Sequence, residues 1–359
     1  MEKHWTLELE QMPDFDKAMQ RIYAWYEQEI IDRPPIRFTA HNAFVNIAHL
    51  RKSWLSLKDR WFDAEYQVDL FIESIKGQKF YAETFPVFWP NLGPEVYSAF
   101  HGSELEYMEV TSFSIPLVKE WKDISKINFD RNNPYFKKIM EMTRLALEKC
   151  EGKFMVGYTD LHPGMDCVAA WRDPQQLCID LLLNPDEVKQ LIKLANRHFQ
   201  EVFDYFDDLL KAHKQLSITW MGIPSYGKMH IPSCDFSAMI STEQYLEFIH
   251  PIIVEEVNQM THNVFHLDGK GVARHVDHIL EIKEINAIQW VQGMGTDTPI
   301  MQWIPFIKKI QAAGKSVVVD LQLHELEDFI WAMDPKGLML CIAADEKIQP
   351  EIIKRIEKW

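Results

Sequence analysis

Eight short runs of apolar and β-branched residues recur along the chain, at 36–40, 86–89, 154–158, 216–221, 264–268, 287–291, 316–320 and 338–343. Each ends at turn residues and gives way to a stretch where apolar positions return every three or four residues, so strands and helices are expected to alternate. The helical stretches carry start signals. The segment 184–211 opens on Asn184-Pro185-Asp186-Glu187 and sets Val188, Leu191, Ile192 and Leu194 along one side. Ser241, with Glu243 close behind, begins another over 241–260, and the last runs from Pro350 through Ile352, Ile353 and Ile356 to Trp359. Alternating β and α units imply a parallel sheet with helices outside it. Eight of them, with no Gly-x-Gly-x-x-Gly after any strand, favour an α/β protein of the (β/α)8 TIM-barrel class over a doubly wound dinucleotide-binding sheet.

Two segments fall outside that alternation. Residues 1–35 place Phe15, Met19, Ile22, Tyr23 and Tyr26 at spacings of three and four and stop at Arg33-Pro34-Pro35, which predicts a helical extension packed on a barrel of residues 36–359. The stretch 90–153, after the second strand, joins an apolar, aromatic loop to a helix over 134–150. A long insertion in that position is expected to lie over the active face.

Composition narrows the function classes. A chain of 359 residues with 47% hydrophobic content can bury one large core, and 38 basic against 53 acidic residues leave a net charge of −15. That charge repels phosphate backbones and anionic lipid, so neither nucleic acid nor membrane is an expected partner. No run of eighteen apolar residues and no apolar leader core stand in the chain, which predicts a cytoplasmic protein. The five cysteines are widely spaced and include no Cys-x-x-Cys pair, so neither a disulfide framework nor a zinc ribbon is indicated.

In a barrel of this class the reactive groups project from the carboxyl ends of the strands. The sharpest signal there is Phe265-His266-Leu267-Asp268-Gly269, since alternation along a strand aims His266 and Asp268 the same way. Such a pair either ligates a metal or shares a proton; the plainer alternative makes Asp268 a helix cap and His266 a structural hydrogen-bonding group. Asp160 and His162 repeat the pattern after Tyr158, with Asp160 read equally as an acid–base group or an N-cap. Cys234 and Asp235 follow the fourth run, and Cys341 lies on the last; a buried cysteine more often serves as a small hydrophobe than as a ligand. Trp89, Trp220 and Trp290 suit the walls of a pocket or plain packing, and His41, Asn91, Tyr158, Asp235 and Gln292 complete a candidate substrate-binding set.

The runs Ser233-Cys234-Asp235-Phe236-Ser237-Ala238-Met239-Ile240-Ser241, His266-Leu267-Asp268-Gly269 and Ile288-Gln289-Trp290-Val291 together resemble the uroporphyrinogen decarboxylase superfamily. So does the Asp-Pro to Leu-Leu-Asn-Pro-Asp-Glu-Val pattern at 173–188, and the resemblance spans most of the chain from Arg33 onward. It implies a (β/α)8 barrel and one of two chemistries: cofactor-free decarboxylation of porphyrinogen acetates, or zinc-dependent methyl transfer between a corrinoid protein and a thiol or other carrier. Where the decarboxylases place arginines after the first strand to hold substrate carboxylates, this chain reads Arg37-Phe38-Thr39-Ala40-His41-Asn42, which is poorly equipped for a polycarboxylate. The methyltransferase branch implies zinc ligands at His266, Asp268 and Cys341, with aspartate in place of its usual middle cysteine. Carboxylate for thiolate makes the ion harder and a better Lewis acid.

The expectation is therefore a zinc-assisted methyltransferase, with Asp160 or His162 orienting substrate or moving a proton and a corrinoid protein docking on the carboxyl-terminal face. Two alternatives stand beside it. One is a metal-free decarboxylase acting on a small or tetrapyrrole-like acid, with Asp160 or Asp268 stabilising a protonated intermediate; the other is a non-catalytic barrel that binds a ligand.

Overall fold

A computed structural model describes residues 4–39 and 48–359. In chain order its strands are β1 (Ile36–Phe38), β2 (Val87–Phe88), β3 (Glu104–Tyr107), β4 (Ser112–Ile115), β5 (Met155–Val156), β6 (Met229–His230), β7 (His262–Asp268), β8 (Ala287–Val291), β9 (Ser316–Leu321) and β10 (Leu338–Ile342). A curled, parallel six-stranded sheet runs β1-β10-β9-β8-β7-β6. β2 and β5 make a separate parallel pair. Strands buried on both faces read as continuous apolar runs, and all five residues of β10 and Val317, Val318 and Val319 of β9 are buried.

The β2–β5 pair is joined by Met155 N–H to Pro86 O and Gly157 N–H to Phe88 O (2.8 Å each), and where longer ladders were expected on either side of it the backbone bonds are isolated: Glu83 N–H donates to Ile36 O (2.9 Å) and Tyr158 N–H to Ile218 O (2.9 Å). The run 216–221 does not form its expected strand. It makes one isolated bridge, Ser217 with Ser225, because the chain reverses at Gly222 (φ +68°), whose N–H returns to Thr219 O (2.8 Å). Beyond that reversal β6 takes the place beside β7.

The helices keep their expected places but break where local chemistry demands it. Residues 184–211 form two helices, Pro185–Asn196 and Phe199–Ala212. Residues 241–260 begin in a Ser241 capping box, widen to a π-turn over Tyr245–Ile249 and continue as His250–Val257, Pro251 being unable to donate in an α-helical register.

Helix α1 (Phe15–Tyr26) seals the amino-terminal ends of the strands. Trp25 Nε1–H donates to Gly337 O (3.1 Å), Ser316 Oγ–H donates to Trp25 O (2.5 Å), and Tyr26 stacks on His262 at 3.9 Å. Behind it, buried Glu83 accepts from Arg21 (3.1 Å), Arg33 (2.7 Å) and Ile36 N–H (2.7 Å), tying the extension to β1. The insertion 90–153 folds as the antiparallel hairpin β3–β4, a 3₁₀ turn at Trp121–Lys126 and the helix Pro134–Lys149. Its residues Pro94, Glu95 and Ser98 reach a cavity at the opposite end of the sheet from α1.

Candidate metal and proton-transfer site

Along β7 burial gives way at the carboxyl end: residues 262–265 are buried, His266 is half-buried and Asp268 is exposed. The period of two puts His266 and Asp268 on one face. Ser233 pairs in parallel with His266, and His266 N–H donates to Pro232 O (2.9 Å), so the segment after β6 continues alongside β7 and carries Asp235 to the level of Asp268. Asp166, in the first turn of the helix Gly164–Arg172, locks that segment by accepting from the backbone N–H groups of Asp235 and Phe236 (3.0 Å each). Asp235, His266 and Asp268 each then offer a ligand atom, all within 4.8 Å of one another. Asp268 occupies the N-cap position of the helix Gly269–Ala273 but makes no capping hydrogen bond with its side chain.

The imidazole of His266 is prepared for a cation. Its Nδ1 lies 2.6 Å from Gln289 Oε1, and an amide oxygen only accepts, so Nδ1 carries a proton and Nε2 is the nitrogen available to a cation. Trp220 meets the ring edge-on at 5.3 Å and restricts its rotation. Withdrawal from water and the Asp166 carboxylate push the Asp235 carboxyl up to about 6, against the pull of His266 and His162. A divalent cation among these groups would relieve the crowding of negative charge.

A cavity of about 610 Å³ opens over this cluster, lined by Trp89, Trp220, Phe236 and Met239 on apolar walls and by Glu95, Asp160, His162, Ser233, Asp235 and His266 at polar points. His162 Nδ1 is 2.9 Å from Ser233 Oγ and its Nε2 is 3.6 Å from Asp160 Oδ1. Burial opposes charge on that imidazole, but Asp160, Asp166 and Asp235 overcome it and raise His162 to about 9. Burial likewise raises Glu95, with the Ser114 N–H opposing.

Of the residues expected at the mouth, Trp89, Asp160, His162, Trp220, Asp235 and His266 meet in this cavity. Cys341 is not in the three-residue cluster: β10 is three strands from β7, roughly 14 Å along the sheet at ~4.8 Å per strand, and burial holds its thiol up at about 12. Asp235 stands in the cluster instead. Cys234 is buried and its thiol is pushed well above its usual range, chiefly by burial. Tyr158 is fully buried and donates to Met229 O (2.7 Å). Trp290 packs against Trp303 (5.0 Å) and Phe306 (4.6 Å), and Gln292 ties its loop to Thr298 O (3.0 Å) and Asp320 O (3.1 Å). Asn91 accepts from Gly93 N–H (2.6 Å) and borders a separate cavity. His41 lies outside the described residues. Sequence reasoning passed over Gln289, Asp166 and Glu95; the first was findable, since Gln289 sits at the same phase of β8 as His266 does of β7.

No protein-family model matches the chain, and no curated protein matches its sequence. Solved structures do. The chain folds like a methyltransferase from Methanosarcina mazei. The two superpose with a TM-score of 0.61 over 95% of this chain and 98% of the other, at 10% sequence identity. At that identity the likeness is one of fold, and it extends over nearly the whole of both chains. No helix among the described residues is long and apolar enough to cross a membrane.

Proposed function

We propose that this chain is a zinc-assisted methyltransferase built on a (β/α)8 barrel, moving a methyl group between a small methylated substrate and a corrinoid carried by a partner protein. The observation that carries the reading is the approach of Asp235, His266 and Asp268 to within 4.8 Å, beside a cavity large enough for a small molecule that Asp235 and His266 line. The donor set is compatible with the ion: zinc accepts imidazole nitrogen and carboxylate oxygen, and three protein ligands leave a fourth coordination position open for substrate. Bound there, zinc would supply Lewis acidity toward the atom that carries the methyl group.

The protein's own groups do the rest. Trp89 and Trp220 wall the pocket and exclude water, Gln289 holds His266 in its ligating tautomer, and Asp160 with His162 orients substrate or moves a proton. The fold shared with a methyltransferase supports the reaction class, and a net charge of −15 fits a small-molecule enzyme better than one that binds polyanions.

Metal analysis tests the reading. Protein prepared without chelator should hold stoichiometric zinc, which His266→Ala, Asp235→Ala and Asp268→Ala lose and Cys341→Ser keeps. Zinc-loaded protein should then methylate cob(I)alamin from a methylated donor. Protein that neither carries zinc nor takes it up would overturn the proposal and favour a metal-free lyase.

A further inference from the structure

Beside the metal cluster lies a second constellation. Ser233, His162 and Asp160 all line the cavity, and Ser233 is the bridge partner of His266 on the neighbouring segment. Ser233 Oγ is 2.9 Å from His162 Nδ1, and His162 Nε2 is 3.6 Å from Asp160 Oδ1. Asp160 is only 5% exposed, and that oxygen has no hydrogen-bond partner among the described residues, which leaves it free to face the imidazole's charge. The order serine, histidine, aspartate is that of a hydrolase nucleophile, but the charge is opposite. Among the described residues, acidic groups act on His162 from each side: Asp160 two positions before it, Asp166 on the helix that follows, Asp235 after β6, Glu95 in the insertion and Glu256 on the helix His250–Val257. Asp160 and Asp166, neither of them a metal ligand, favour the protonated ring, which places His162 as an acid and not as the base that a serine nucleophile needs.

We infer that Ser233 is the proton donor to the departing group in methyl transfer, that His162 resupplies its proton, and that Asp160 positions the imidazolium. The inference rests on the methyltransferase reading above. As the carbon–heteroatom bond of the donor breaks, its electron pair stays on the heteroatom, which takes the Ser233 hydroxyl proton. The His162 Nδ1 proton passes to Ser233 Oγ in the same movement, and the methyl group passes to the nucleophilic acceptor. His162, left neutral, regains a proton from solvent. The donor is thereby a molecule whose leaving group would otherwise depart as an anion, such as an alkoxide or phenoxide, and not a sulfonium or quaternary ammonium, whose leaving group departs neutral without needing a proton.

Two measurements on the full-length, zinc-loaded protein test this. Histidine-ring NMR across the neutral and mildly alkaline range should find His162 as an imidazolium at neutral pH, and Asp160→Asn should let it deprotonate at markedly lower pH. With cob(I)alamin as acceptor, Ser233→Ala and His162→Gln should lower the rate ratio of methyl phenyl ether to trimethylsulfonium about a hundredfold, since only the ether's leaving group needs a proton. A neutral His162 ring in the unmodified protein, or an unchanged ratio in both variants, would overturn the assignment. The NMR arm needs no turnover, and zinc content is read separately, so failure of the metal reading and failure of this one are distinguishable.

Discussion

At the scale of single residues the candidate site turns on which nitrogen of His266 is free. Gln289 Oε1, 2.6 Å from Nδ1, makes that choice and also fixes the ring plane. Replacing Gln289 by leucine removes the acceptor while keeping the volume, so both tautomers become available and Nε2 is a ligand only part of the time. Zinc affinity should fall ~10- to 100-fold, the range seen when groups that orient metal ligands are removed. Competition with a chromophoric chelator measures it; unchanged affinity would mean that Trp220 and the backbone alone orient the ring. His266 and Asp268 were legible in the sequence because a period of two needs no partner strand to be read. Gln289 was not singled out because its role depends on the register of β8 against β7.

At the scale of elements the cluster depends on two short helical turns meeting. The helix Gly269–Ala273 packs on the 3₁₀ turn Asp235–Met239, and a Cβ on Gly271 would lie 2.6 Å from the Ala238 Cβ and 3.1 Å from its Cα. There is no room for a methyl group. Gly271→Ala should therefore force the turn that bears Asp235 away from Asp268, costing about 1–3 kcal/mol of stability and weakening zinc binding. The double variant Gly271→Ala, Ala238→Gly should recover most of both losses, by thermal melting and zinc titration. If the single variant binds zinc normally, the spacing of these two turns does not set the site. The same scale explains the misread fourth strand. Leu216, Ile218 and Met221 are as apolar as a buried strand requires, but Gly222 and Pro224 turn the chain before a ladder can form, and apolar periodicity carries no record of that turn.

For the whole molecule, two buried histidines outside the cavity lining shape the response to mild acid. His101 donates from Nδ1 to Tyr97 O (2.9 Å), while His262 lies under Tyr26 at the amino-terminal ends of the strands. Burial lowers each from 6.5 to about 4, with the Tyr97 carbonyl opposing this at His101. Because the folded pKa is depressed, the unfolded chain binds these protons more readily. Stability is then unaffected above the unfolded value of 6.5 and falls as pH drops from there toward 4, by roughly 3 kcal/mol for each group across the full interval. Urea denaturation followed from neutral pH into that window should show the fall, and His262→Asn should flatten part of it. An equally steep fall in that variant would place the titration elsewhere.

The alternation of strands and helices, the amino-terminal helix and the position of the strand that bears His266 and Asp268 follow from the sequence by itself, because each is written in local periodicity and capping residues. The third member of the cluster does not. Asp235 and Cys341 are both plausible ligands by residue type, and only the parallel pairing of Ser233 with His266, together with the two strands that stand between β7 and β10, brings the aspartate in and leaves the cysteine out. Likewise Trp89, Trp220 and Trp290 are equivalent as aromatic residues at strand ends, yet two face the cavity and the third is buried against Trp303 and Phe306. Residue type and period say which groups a strand end can present. Which of them meet depends on strand order and register, and those arise only when segments distant in the chain bury their apolar faces together.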